Sequence, residues 1–159
     1  MSKNITLTAM LSVLTIILFS AQMFIPPVGI AVAYFSVLPL AFIKIEINTR
    51  YYVMAILTSG IIIMLLNDPF GWIFFWMLLL PVITSVLYKN ILLKILMFCV
   101  NLLGIYLLYN FFNVGTSQLD VIFSKLWYII AVGFYFLTYF FYKRSLIISK
   151  NIIKKTLNK

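Results

Sequence analysis

Few side chains in this 159-residue chain can carry chemistry, and their types narrow what that chemistry is. There is no histidine, so the side chain that most readily shuttles protons near neutral pH and most often ligates metals is missing. Glu46, Asp68 and Asp120 are the only acids, set far apart in sequence, and the single cysteine, Cys99, has neither a histidine nor a second thiol to act with it. Proton transfer and nucleophilic attack need positioned partners, so no catalytic residue, metal site or cofactor is expected. No G-x-x-x-x-G-K-[ST] run is present, which removes the phosphate-cradling loop of many ATPases. What remains is binding chemistry. Gln22, Asn67, Asp68, Trp72, Asn113, Gln118 and Asp120 offer amides, carboxylates and one indole, the kind of lining a small polar ligand needs. Whether they meet depends on the elements that carry them.

Those elements are dictated by composition. Hydrophobic residues make up 65% of the chain and charged residues 9%, at a mean hydropathy of +1.15. A soluble domain averages about 45–50% apolar and about 25% charged residues, so there is too little polar surface here to cover a water-facing globule. Disorder and a disulfide scaffold are excluded by the same numbers and by the lone cysteine. The expected fold class is an all-α integral membrane protein, a single polytopic domain. Six apolar runs at residues 5–25, 28–43, 51–66, 72–88, 91–112 and 117–142 form its bundle, and a basic tail follows at 143–159. Runs two to four are shorter than the ~20 residues a helix needs to cross about 30 Å of hydrocarbon. Charge supplies an independent count. Six crossings place Lys3, Lys44, Arg50, Lys89, Lys94, Lys143, Arg144, Lys150, Lys154, Lys155 and Lys159 on one side and leave only Lys125 on the other. By the positive-inside rule the basic side, with both termini, is cytoplasmic. The seven candidate ligand residues then gather at the outer interface.

Local signals fill in the frame. Pro26-Pro27-Val28-Gly29 leaves almost no loop after the first span, and Asp68-Pro69 reads as an N-cap followed by proline in the first turn. Ser117 with Asp120 resembles a capping box. Tyr51, Tyr52, Trp72, Tyr88, Tyr109 and Tyr142 fall near span ends, as an aromatic belt does. Thr8, Ser12 and Thr15 share one face of the first helix, with Ala9 beside them. Such small residues let another backbone approach, either within the bundle or from a separate subunit docking there. Asn101 lies deep enough in the fifth span to bridge helices, Lys94 is near enough to its end to reach headgroups, and Cys99 reads as a small buried hydrophobe. A first apolar run of 21 residues exceeds the ~7–15 of a signal-peptide core, which argues against cleavage. The basic tail favours anionic membrane lipid, and its placement beside spans argues against nucleic acid.

Leu7-Thr8-Ala9, Ile25-Pro26-Pro27-Val28-Gly29, Leu38-Pro39-Leu40, the turn Ile47-Asn48-Thr49-Arg50-Tyr51, Asn67-Asp68-Pro69 and Leu87-Tyr88-Lys89 together resemble the substrate-binding S components of energy-coupling factor transporters. They are closer still to a related family of S-component-like bacterial membrane proteins. The resemblance covers roughly the first 90 residues and rests on short apolar motifs. It implies a six-helix subunit of the bacterial cytoplasmic membrane that captures a vitamin-like or metal-related small molecule outside, with a transmembrane coupling subunit and an ATPase pair driving uptake. Members of that family often dock through Ala-x-x-x-Ala in the first helix, where this chain has Thr8-x-x-x-Ser12. A second similarity, to the small six-span subunit of the rod-shape machinery, implies a non-enzymatic membrane scaffold. The Asp68-Pro69-Phe70-Gly71 turn fits it loosely and the first span poorly.

Overall fold

A helix satisfies every backbone N–H and C=O within its own segment, which is why a chain this apolar adopts it almost throughout. The computed structural model describes the backbone of residues 2–24, 26–112 and 118–157, and the side chains of 3–24, 28–110, 126–149 and 151. Six helical units follow one another. Helix α1 is Ser2–Phe24. Helix α2, residues 26–47, is built of Pro26–Phe35, Val37–Phe42 and a π-helical Ile43–Ile47. Helix α3 is Thr49–Leu66. Helix α4, residues 69–87, joins Pro69–Ile73, a π-helical Phe74–Leu79 and Leu80–Leu87. Helix α5 is Ile91–Phe112 and α6 is Gln118–Leu157. No strand occurs among the described residues. Each unit contains a stretch long and apolar enough to cross a membrane, of 22, 20, 18, 19, 20 and 24 residues in turn. This is the character of a multi-pass membrane protein.

The middle spans are longer than the sequence pattern suggested. Lys44 and Glu46 look like the polar end of the second run, yet the helix continues through them to Ile47. It can do so because Lys44 has partners: its ammonium lies 4.7 Å above the Tyr88 ring and bonds the Thr49 hydroxyl. The break falls instead at Asn48, whose extended backbone and side-chain oxygen, accepting from Tyr51 N–H at 3.1 Å, start α3. Asp68 starts α4 similarly, accepting from Gly71 N–H at 2.9 Å with Pro69 next. The sixth helix does not stop at Tyr142. It runs on into the basic tail as far as Leu157, and Leu146 is buried there. Ser117, the expected cap, lies outside the described residues.

Helix α4 is central. It touches α2, α3, α5 and α6, while α1 packs mainly on α2 and α3, and α5 pairs with α6. Within the membrane-crossing windows, 56% of α4 and 44% of α2 are buried, against 11% of α5. In lipid, helix association depends on close packing and interhelical hydrogen bonds more than on the hydrophobic effect. Both contributions are visible. Phe19 meets Phe75 edge-on at 5.2 Å, and Tyr34 meets Phe74 edge-on at 5.6 Å. Polar side chains on the outer helices serve the two interrupted ones. In α4, Pro81 has no N–H to return to the preceding turn, and Asn101 of α5 donates to Leu78 O at 3.1 Å and Met77 O at 3.3 Å. In α2, a turn at Ser36 interrupts the helix, and the Tyr142 hydroxyl of α6 donates to Tyr34 O at 2.8 Å. Tyr142 and Tyr52 are thus buried, at 0% and 2% exposure, and not members of an interfacial belt. Tyr52 hydrogen-bonds Thr84 at 3.0 Å. Each hydroxyl finds its partner inside the protein, so neither has cause to seek the headgroups.

Candidate ligand-binding site

The α1–α2 hairpin is as tight as its prolines imply, with only Ile25 between the two helices. Gly29 makes this possible: a Cβ at that position would sit 2.3 Å from Gln22 Cα and 2.4 Å from Ala21 O. The absent side chain lets α2 press against the last turn of α1 and fixes where Gln22 stands. On the neighbouring helix, Asn67 closes α3, its N–H on Ile63 O at 2.9 Å. Asp68 follows as the N-cap of α4. The ends of α1 and α3 therefore bring Gln22, Asn67 and Asp68 together from residues 45 and 46 apart.

Their hydrogen bonds form a directed chain. Asn67 Nδ2 donates to Ile63 O at 3.0 Å, because a backbone carbonyl can only accept. That turns Asn67 Oδ1 toward α1, where Gln22 Nε2 donates to it at 3.5 Å, the long limit of such a bond. Gln22 Oε1 is left buried with no partner. Beside this chain lies a half-open cavity of about 340 Å³ lined by Gln22, Met23, Ile30, Asn67, Asp68 and Phe70. Its one aromatic lining residue, Phe70, stacks on Phe74 at 5.8 Å with the rings 8° apart. A volume of this order suits a small ligand, and an apolar lining with few polar groups is the usual pattern of a small-molecule site.

The expected ligand set is only partly assembled. Gln22, Asn67 and Asp68 line the cavity; Trp72 does not. Its indole N–H donates to Asn67 O at 2.7 Å, and its ring borders a separate apolar groove with Met64, Ile73, Trp76 and Met77. Trp72 thus braces the α3–α4 turn. Asn113 lies outside the described residues, as do the side chains of Gln118 and Asp120. The pattern of polar residues passed over Met23, Ile30 and Phe70. Their signal was adjacency: each sits within a helical turn or a hairpin of a polar lining residue.

The small-residue face of α1 is occupied within the chain. Thr8, Ser12 and Thr15 are 8%, 6% and 0% exposed, and α1 packs there against helices whose own buried faces carry Ala33, Ala55 and Ser59. Thr8 and Thr15 return their hydroxyls to Asn4 O and Leu11 O. Of the four expected docking positions only Ala9 is exposed, between Ile5 and Val13. Cys99 is exposed on α5, so it is not the buried hydrophobe expected of it. No cluster of His, Cys, Asp or Glu able to hold a metal occurs among the described residues.

No known protein family, curated protein or solved structure shows significant similarity to this chain.

Proposed function

We propose that the protein is the solute-binding membrane subunit of an energy-coupling-factor-type importer. It would reside in a bacterial cytoplasmic membrane, with both termini on the cytoplasmic side and the Gln22–Asn67–Asp68 cavity facing out. The observation that carries this reading is the cavity itself. Polar groups at the end of a membrane helix are usually solvated loop residues; here they flank about 340 Å³ of space lined also by Met23, Ile30 and Phe70. The Gln22 oxygen adds support, because among the buried side-chain atoms left without a partner in the described residues it is the one that belongs to a residue lining this cavity. Charge placement supports the orientation: Asp68 lies at the cavity end, and Lys44, Lys89, Lys94, Lys143 and Arg144 fall at the other. The absence of a phosphate-binding loop from the sequence fits a subunit energised by a separate ATPase pair.

Thr8, Ser12 and Thr15 face the chain's own helices, so on this reading a coupling subunit meets the exposed flank of α1 around Ala9. Gentle solubilisation and affinity capture of the full chain tests the proposal. Recovery of an ATPase pair with a second transmembrane protein is the expected result. Recovery of cell-envelope assembly proteins, with no ATPase and no bound small molecule, would replace it with the scaffold reading.

A further inference from the structure

The opposite end of the molecule holds a second feature, independent of the cavity. Helix α5 begins there beside the far part of α6, with Lys94 Nζ 5.9 Å from the centroid of the Tyr139 ring. Between the two helices runs a groove of about 360 Å³, bordered by Lys94, Ile95, Phe98, Phe136 and Tyr139 among others. Phe98 and Tyr135 meet edge-on at 4.9 Å at its base, and the Tyr135 hydroxyl is already engaged by Ser85 at 2.8 Å. The flank is otherwise bare. Ile91, Ile95, Leu96 and Phe136 are all more than half exposed, on helices whose windows are the 11% and 22% buried ones. In a membrane-spanning chain such a flank faces acyl chains.

Charge identifies the occupant. Lys143 lies one helical turn beyond Tyr139 on the same face of α6, and Lys89 lies two residues before the start of α5. The chain has 12 Lys and Arg against 3 acids, and of the acids only Glu46 falls at this end. One acid cannot neutralise all the cations at this end, which leaves most of them to an anion from outside the chain. A cation near an aromatic face keeps its full charge while the ring attracts it. An apolar groove with Lys94 on its border and Lys143 one turn beyond Tyr139 has the polarity of one molecule: hydrocarbon along its length, a phosphate at its mouth.

We infer that the α5–α6 groove is a binding site for an anionic phospholipid, with an acyl chain along Ile95, Phe98 and Phe136 and the phosphate between Lys94 and Lys143. A zwitterionic lipid fits the groove equally but carries its own cation against the lysines. Free phosphate satisfies the lysines but gains nothing from the groove.

Native mass spectrometry and thermal unfolding of the full chain in neutral detergent test this, using phosphatidylglycerol, phosphatidylcholine of the same acyl chains, and inorganic phosphate. The expected result is selective retention of phosphatidylglycerol with a raised Tm. Lys94→Gln and Lys143→Gln should each weaken retention about fivefold, the effect of one basic residue at an anionic surface. Lys94→Arg should keep it, which guards against a merely unstable Gln variant. Lys3→Gln removes the same charge from α1 and should change nothing. Equal retention of the two lipids, an equal loss in Lys3→Gln, or stabilisation by inorganic phosphate alone as large as that by phosphatidylglycerol would each overturn the inference.

Discussion

Asn101 and Gln22 are both amides on membrane helices, and they do opposite things. Asn101 is fully buried and donates to two carbonyls of α4 beside Pro81. Its surroundings are closed: a Cβ on Gly104, one turn along α5, would lie 2.6 Å from Met77 Cβ, so the two helices are in direct contact. Each amide keeps one buried oxygen without a partner, but Gln22 ends a weak chain through Asn67 and borders a cavity. An intramembrane amide is therefore not evidence of a binding site by itself. What separates glue from candidate site is the space beside it and whether a backbone group already consumes its donors.

Substitutions at four positions put that contrast to the test. The largest effect should come from Gly29→Leu, whose added atoms run into the backbone of Gln22 and Ala21. Overpacking costs about 1–3 kcal/mol and more where backbone must move, so a strong loss of Tm and of ligand binding together is expected. Asn101→Leu should follow, with about 1–2 kcal/mol lost in detergent unfolding as α4 carbonyls lose their donor. Any ligand bound at the cavity should keep its affinity in protein that remains folded. A selective loss of ligand in Asn101→Leu would erase the distinction between the two amides.

Asp68→Asn should do the reverse. Asn caps helices about as well as Asp, so Tm should hold while affinity falls about tenfold, the weight of one charged hydrogen bond. The smallest effect belongs to Trp72→Phe. Loss of its bond to Asn67 O costs about 1 kcal/mol, and ligand affinity should be unchanged because the ring lies outside the cavity. Reduced affinity without reduced stability there would restore Trp72 to the site.

The contrast also explains what could be read from the sequence. Six spans were legible because apolar runs and basic breaks recur along the chain, and the Asp68-Pro69 start of α4 was legible because capping is local chemistry. The end of α2 was not. Lys44 reads as a loop residue until Tyr88 and Thr49, from other elements, come within reach. Tyr52 and Tyr142 read as interfacial for the same reason, since Thr84 and the Tyr34 carbonyl become their partners only on packing. In the site, Gln22, Asn67 and Asp68 were visible as polar residues at span ends. The direction of their hydrogen bonds and the apolar walls were not, because the first depends on α3 meeting α1 and the second on how α2 lies against α1. Trp72 was misplaced because its indole N–H is spent on the Asn67 carbonyl, a partner that comes within reach only when the α3–α4 turn forms.

The central claim is that the Gln22–Asn67–Asp68 cavity holds a small molecule. Native mass spectrometry of gently purified full-length protein, run in parallel on the unaltered chain, Asp68→Asn and Asn101→Leu, tests it most directly. The account predicts a small-molecule adduct on the unaltered chain and on Asn101→Leu that is depleted on Asp68→Asn. An adduct equally abundant on all three, or lost only from Asn101→Leu, would contradict it.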